Sequence, residues 1–165
     1  MAPTKPSSPG RPGFTRRAAV LSFAAGGSVL ALHAASAETL PAPGSLASAL
    51  AAALLRNQPL VVMASTPGCP FCRLVRDNYL APMRRDEGLP VLQLDLGSHA
   101  GIVDFAGGAA THDEVLRRWR VEVAPTVLFF GRGGREVAPR LVGASADFYG
   151  AYLEQRLATA RRHLG

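Results

Sequence analysis

The sequence predicts an α/β fold in which helices cover both faces of a mixed, four-stranded parallel/antiparallel sheet. Four short runs of strand length alternate with segments whose apolar residues recur at helical spacing, in the order α-β-α-β-α-β-β-α. The strand–helix–strand unit at the start indicates parallel pairing. The last two runs are separated by the turn-forming residues 131–134 (GRGG), which indicates a hairpin and an antiparallel pair.

The first predicted helix and strand precede both cysteines of the chain. Ser45 can cap a helix in which Leu46, Leu50 and Leu54 recur at every fourth position. Residues 59–65 (PLVVMAS) form an apolar, β-branched run. We therefore expect a helix followed by a buried strand.

The cysteine-containing segment 69–83 (CPFCRLVRDNYLAPM) predicts the second helix, and Pro82 should bend or end it. Residues 89–95 (LPVLQLD) predict the second strand. The Gly- and Ala-rich residues 97–110 that follow predict a loop.

The third helix and third strand come next. Thr111 and Glu114 stand at the spacing of a capping box. They predict a short helix from His112 to Arg120, with His112 exposed in its first turn. Residues 125–130 (PTVLFF) predict the third strand.

The last strand and the last helix complete the order. Residues 135–143 predict a strand, and Pro139 should place it at an edge of the sheet or give it a bulge, because proline cannot donate to a ladder. Ser145 should cap the final helix. The apolar stripe predicted for that helix consists of Phe148, Tyr152, Leu153 and Leu157.

The N-terminal residues 1–37 have the features of an export signal. A Pro- and Gly-rich, basic start leads to Arg16 and Arg17, and the apolar stretch 18–32 that follows is too short for a comfortable membrane span. Small residues ending at Ala37 then resemble a signal peptidase site. We predict a twin-arginine-like signal peptide that is removed after Ala37, which makes the protein periplasmic or otherwise exported.

Other interpretations of this segment remain open. Ala19 stands where twin-arginine signals often carry Phe, so an ordinary secretory signal is one alternative. A retained membrane anchor and a buried amphipathic helix are two more. In the exported protein, residues 38–58 would be a linker and N-terminal helix and 59–165 the α/β domain, in a compartment where thiols can be oxidised.

The charge of the chain argues against nucleic acid as a partner. The net charge is +6, but from Glu38 onward 14 basic and 12 acidic residues leave only +2. No basic stripe interleaved with aromatic residues accompanies it. We therefore predict no nucleic-acid binding, and we expect a monomer.

Both cysteines lie in residues 66–72 (TPGCPFC), two residues apart, after a strand and at the start of a helix. The first amides of a helix lack intrahelical partners, so they should stabilise a thiolate on Cys69 and lower its pKa. Cys72, one turn further on, points back toward it. Pro70 and Phe71 form the start of this helix, where the missing backbone N–H of Pro70 costs no hydrogen bond.

Three other uses of the cysteine pair compete with redox exchange. A purely structural disulfide would stabilise the fold poorly, because closing a loop this short removes little entropy from the unfolded chain. Zinc needs four ligands, and His99, His112 and His163 offer no close second pair. A soft two-thiolate site for Cu(I) remains the alternative: a copper-binding or thiol-dependent chaperone. We predict no bound cofactor and no metal.

Several motifs together resemble the thioredoxin-like superfamily. They are LVVMASTPGCPFC with the helix after it, VEVAPTVLFF, GREVAPRLVGA and a last amphipathic helix, spanning about residues 59–158. The resemblance implies a thioredoxin fold, with Pro125 as the cis-proline that faces the disulfide. Ala124 and Thr126 beside it would complete the substrate groove.

The chain also departs from the family pattern. Met63 stands where thioredoxins carry a buried Asp, and Gly68 where Tyr or Trp commonly precedes the first cysteine. The segment 96–112 is longer than in a minimal thioredoxin and is expected to form a lip near the site. It is too short for the helical domain of Dsb-type oxidases.

The resemblance implies an exported thiol–disulfide oxidoreductase. Cys69 would attack and form a mixed disulfide with a protein thiol or disulfide partner, and Cys72 would resolve it. A separate redox partner would recycle the pair. We predict that it works in the reducing direction.

Overall fold

The computed structural model describes residues 39–144 and 147–164, together with Met1, Ala2 and Thr4. The predicted signal peptide, apart from those three residues, and the predicted helix cap Ser145 lie outside the described residues. Within the described ranges, no helix is both long enough and apolar enough to cross a lipid bilayer.

The helices and strands follow the predicted order with one addition. The helices are α1 (Leu46–Leu54), α2 (Pro70–Val75), α3 (Ala81–Asp86), α4 (His112–Arg118) and α5 (Tyr149–Arg162). The strands are β1 (Leu60–Ser65), β2 (Val91–Asp95), β3 (Gly101–Val103), β4 (Ala109–Thr111), β5 (Thr126–Phe130) and β6 (Glu136–Val142). A π-helical turn (Arg76–Leu80) joins α2 to α3, and a 3-10 turn (Arg132–Gly134) joins β5 to β6.

The four long strands form one mixed sheet in the order β2-β1-β5-β6, which confirms the predicted architecture. β1 pairs with β2 in parallel, and the pairs β1–β5 and β5–β6 are antiparallel. β6 is an edge strand with shifts in its register, as Pro139 predicted. The central strands β1 and β5 are buried at every position, in keeping with their uniformly apolar or small residues.

Helices pack on both faces of this sheet. Val61 and Met63 of β1 point into one apolar cluster, with residues of α2, α3 and α5. Val62 and Ala64 point into the other, with residues of α1 and α4. This alternation is the two-residue period of a strand, and it places the cysteine-bearing helix on the first face.

The segment α2–α3 continues through Pro82 instead of ending there. In the π-helical turn, the N–H of Ala81 donates to the carbonyl of Arg76, five residues back. Pro82 follows this turn, at the start of α3. The helical segment therefore runs on to Asp86.

Residues 97–110, predicted as a loop, contain a hairpin formed by β3 and β4. Between the two strands, Phe105 packs against Phe130 and Trp119 with ring centroids 4.9 Å and 5.6 Å away. Phe130 pairs with Leu60 at the start of β1, the end of that strand far from the cysteines. The hairpin tip therefore does not form the expected lip near the site.

The apolar face of α5 differs from the predicted stripe. The helix begins at Tyr149, later than expected, and Phe148 before it is 77% exposed with a φ of 66°. Tyr152 is 48% exposed. The buried residues of the helix are Tyr149, Leu153, Leu157 and Ala160. Their spacing marks one helical face, and Phe148 and Tyr152 lie outside it.

Candidate redox site

Cys69 and Cys72 form a disulfide at the N-terminus of α2, with their Cα atoms 5.2 Å apart. Cys69 is the N-cap residue in an extended conformation, and its sulfur accepts the backbone N–H of Cys72 at 3.1 Å. Pro70 occupies the first turn, as predicted. The sulfur of Cys69 thus lies among the amides at the positive end of the helix.

The two sulfurs have different environments. Cys72 is 1% exposed and belongs to the apolar cluster under α2. Cys69 is partly exposed, and the flanking Phe71 is 57% exposed. A protein partner can therefore reach the disulfide from the side of Cys69, with Phe71 beside it.

The loop before β5 lies next to the disulfide. β5 pairs Thr126 with Ala64, so Pro125 lies beside the C-terminal end of β1, the end from which the chain continues to Cys69. The Ala124–Pro125 peptide bond is cis. Ala124 and Cys69 pack against the same apolar cluster. The structure therefore places the Ala124–Pro125 bond and the cysteines at the same end of the sheet, and the substrate groove that the resemblance implies stays a prediction.

Hydrogen bonds hold the backbone of this loop. The hydroxyl of Thr126 donates to the carbonyl of Val123 at 2.7 Å, and Thr126 is 2% exposed. The N–H of Gly143 donates to the carbonyl of Pro125 at 2.7 Å. Thr126 thus fixes the turn from within; Pro125 is buried as well, and Ala124 is partly exposed.

Two valines that the sequence analysis did not single out are exposed at this end of the sheet. Val123 is 49% exposed just before the cis peptide, and Val142, paired with Thr126, is 60% exposed. With Phe71 they form what we call the apolar rim (Phe71, Val123, Val142). Their exposure is visible only in the structure, so the sequence carried no signal for them.

A cleft of about 230 Å³ opens beside the disulfide. The residues lining it include Cys69, Cys72, Arg73, Arg76, Gln93 and Asp95. Of these, only the two cysteines were predicted from the sequence; the four polar residues were missed, although Gln93 and Asp95 could have been found. The available signal was two polar residues, two positions apart in an apolar strand, which places both side chains on one face.

Met63, at the position where thioredoxins carry Asp, is fully buried on β1. Its partner in the register of β2 is Gln93. The side-chain amide of Gln93 donates to Asp95 at 2.9 Å. The polar groups near Cys72 therefore lie on the neighbouring strand.

His112 is buried, which corrects the expectation that it would be exposed. It is 3% exposed at the start of α4, and its Nδ1 accepts the backbone N–H of Asp95 at 3.3 Å. The first turn of α4 thus covers an edge amide of β2. Burial lowers the pKa of His112, and the negative charge of Asp95 opposes that shift only in part.

The described residues offer no metal-ligand set beyond the two cysteines. Across residues 39–144 and 147–164, no group of three or more His, Cys, Asp or Glu side chains could hold a metal ion. A two-thiolate copper site would need only Cys69 and Cys72.

Comparison with known proteins gives one family. A family model described as a thioredoxin-like domain matches residues 46–156. No curated protein sequence matches the chain significantly.

Solved structures with similar folds include a thioredoxin-fold protein from Helicobacter pylori, with 15% identity and a TM-score of 0.51 over 65% of this chain and 73% of that one. Thioredoxin O2 from Arabidopsis thaliana has 24% identity and a TM-score of 0.42 over 67% and 84%. The periplasmic thioredoxin SoxS from Paracoccus pantotrophus has 22% identity and a TM-score of 0.38 over 62% and 99%. The family match covers most of the chain, and the mixed sheet with its disulfide at the start of α2 agrees with it. This protein belongs to the thioredoxin-like family.

Proposed function

We propose that this protein is an exported thiol–disulfide oxidoreductase that reduces disulfides in protein partners. One observation carries the proposal: Cys69 is partly exposed at a helix N-terminus, whereas Cys72 is buried behind it. Such an asymmetric pair assigns the attack on a partner to the first sulfur and the resolving step to the second.

The reaction follows from this geometry. In the reduced protein, the thiolate of Cys69 attacks a sulfur of the partner's disulfide, and the other partner sulfur leaves as a thiolate. Cys72 loses its proton, attacks the Cys69 sulfur and releases the second partner thiolate. The partner gains two electrons and two protons, and the Cys69–Cys72 disulfide forms. The Cys72 N–H, which points at Cys69 in the oxidised protein, would stabilise the attacking thiolate.

The apolar rim supports a protein substrate. Three exposed apolar side chains at the end of the sheet where the disulfide lies offer contacts that a small hydrophilic disulfide would not use. An extended segment lying over Pro125 would bring its own disulfide to Cys69. The contact area around the reacting sulfur then contributes to the selection of partners.

Export and direction are further parts of the proposal. The arginine pair, the short apolar stretch and the small residues before Glu38 support export. The segment between β2 and α4 is a short hairpin, which supports the reducing direction over that of oxidases that carry a helical domain there. A separate redox partner would return electrons to the pair.

Reduction of insulin disulfides tests the proposed function. We expect the purified protein, supplied with a thiol reductant, to accelerate insulin reduction, and Cys69→Ser to abolish the acceleration. Cys72→Ser should retain the first step and accumulate mixed disulfides. Tight Cu(I) binding by the pair with no acceleration would favour the chaperone alternative.

A further inference from the structure

Gln93 lies on the same face of the sheet as the resolving cysteine. It pairs in register with Met63, and Val91, two residues before it, shares an apolar cluster with Met63 and Cys72. Paired residues on adjacent strands project to the same side. Gln93 and Cys72 accordingly line the same cleft.

The orientation of the Gln93 amide is fixed by its neighbour. Its Nε2 donates to Oδ1 of Asp95 at 2.9 Å. A carboxylate only accepts hydrogen bonds, so the amide must turn its NH₂ group toward Asp95 and its oxygen away. That oxygen, Oε1, is buried and has no hydrogen-bond partner among the described residues.

A buried acceptor without a donor is unfavourable, and the structure contains the oxidised pair. A disulfide has no S–H group to offer. Reduction breaks the S–S bond and forms one S–H bond on each sulfur, while two glutathione thiols, for example, are oxidised to one disulfide. The buried cysteine then becomes a hydrogen-bond donor in the cleft that holds the unpaired oxygen.

We propose that Oε1 of Gln93 accepts a hydrogen bond from the Cys72 thiol in the reduced protein. The oxidised state leaves this acceptor unpaired, and the reduced state satisfies it. Gln93 therefore stabilises the dithiol and raises the reduction potential of the pair. It also holds Cys72 as a neutral thiol, because an amide cannot take up the proton that a carboxylate would.

This inference rests on the proposed function only in supposing that the pair cycles between disulfide and dithiol. The main variant is Gln93→Met, which keeps the length of the side chain and removes the acceptor. Gln58→Met is the matched control. The Oε1 of Gln58 accepts a hydrogen bond from Arg161 at 3.1 Å, and Gln58 precedes β1, whereas the cysteines follow that strand.

Equilibration with glutathione buffers is the first measurement. We expect the equilibrium constant for reduction of the pair to fall about tenfold in Gln93→Met, a shift of about 30 mV to more negative potential. Gln58→Met should match the wild-type protein. A Gln93→Met value within twofold of wild type would overturn the inference.

The infrared S–H stretch of Cys72 gives an independent readout, measured with Cys69→Ser so that Cys72 is the one cysteine of the chain. We expect the band to move to higher frequency when Gln93→Met is added. An unchanged band in Gln93→Met would contradict the bond. This result does not depend on turnover. A wild-type pair that fails to exchange with glutathione counts against the proposed function, whereas the frequency of the S–H band tests the hydrogen bond between Cys72 and Gln93.

Discussion

The backbone N–H of Cys72 donates to the sulfur of Cys69 at 3.1 Å. This contact links the two proposed roles, because the residue proposed to resolve the mixed disulfide also supplies a donor to the sulfur proposed to attack. It arises from local structure: Cys69 caps α2 in an extended conformation, and the N–H groups of the first turn have no intrahelical acceptor.

The difference in exposure between the cysteines predicts a difference in their reactivity. After reduction, we expect iodoacetamide to alkylate Cys69 at least about tenfold faster than Cys72, because Cys72 is 1% exposed and Cys69 lies at the helix N-terminus. Mass spectrometry of peptides from partially alkylated protein measures the ratio. Equal rates, or faster reaction at Cys72, would contradict the roles assigned to the two sulfurs.

The apolar rim predicts a selective effect on protein substrates. Val142→Asp places a charge on a side chain that is 60% exposed beside the Pro125 loop. We expect kcat/KM for insulin to fall about tenfold, because roughly one apolar contact with the substrate is lost. Turnover of a small aromatic disulfide should change less than about twofold. Val103→Asp, on the β3–β4 hairpin, is the control and should leave both rates unchanged. Equal losses on both substrates would show that Val142 acts on the cysteines themselves.

Burial of His112 predicts a dependence of stability on pH. The folded protein holds His112 neutral, with its Nδ1 accepting from Asp95, and burial lowers the pKa of its imidazole. In the unfolded chain that pKa is about 6.5, so the unfolded state binds more protons below this pH. The free energy of unfolding should therefore fall as pH drops from about 6.5 through the folded pKa, by at most about 1.4 kcal/mol per pH unit from this group.

Urea unfolding between pH 5 and 8 measures this dependence (the range is chosen around the pKa of about 6.5). His112→Gln is the informative variant, because its side-chain oxygen can accept from Asp95 and does not titrate. The difference in stability between the two proteins should shrink or reverse as the pH falls. A difference that stays constant across the range would mean that His112 titrates alike in both states.

The placement of the hairpin is tested by two neighbouring glycines. Gly133 and Gly134 both have a φ of 69°, so alanine at either position should cost roughly 1–2 kcal/mol of backbone strain. An added Cβ at Gly134 would lie 2.6 Å from the ring of Phe105, whereas Gly133 has nothing within 4 Å. We expect Gly134→Ala to be more destabilising than Gly133→Ala by a further 1–3 kcal/mol or so in urea unfolding. Equal losses would contradict the packing of Phe105 on this turn.

The main sheet could be predicted because its two central strands are short apolar runs, and the order of helices and strands leaves few ways to connect them. The cysteine pair was identifiable from two residues and their spacing. The position of Pro125 beside it followed from a resemblance, since 53 residues separate it from Cys72 in the sequence and only the β1–β5 pairing brings the two segments together.

The parts that were missed depend on tertiary packing. The β3–β4 hairpin is rich in Gly and Ala and has no strand-like alternation, and its position depends on Phe105 packing against Trp119 and Phe130. His112 is buried because the first turn of α4 covers the edge of β2. Gln93 lies in a strand that the sequence predicts without indicating which side chains face the cysteines. Only its pairing with Met63 shows that Gln93 is on their side of the sheet.

The reduction potential of the Cys69–Cys72 pair, obtained by equilibration in glutathione buffers, tests the central claim most directly. We predict that the pair equilibrates and that its potential is near about −270 mV, as expected of a reductase supplied with electrons by another protein. A pair that never exchanges with glutathione would contradict an oxidoreductase role. A potential near about −120 mV would contradict the reducing direction and would make the protein a donor of disulfides.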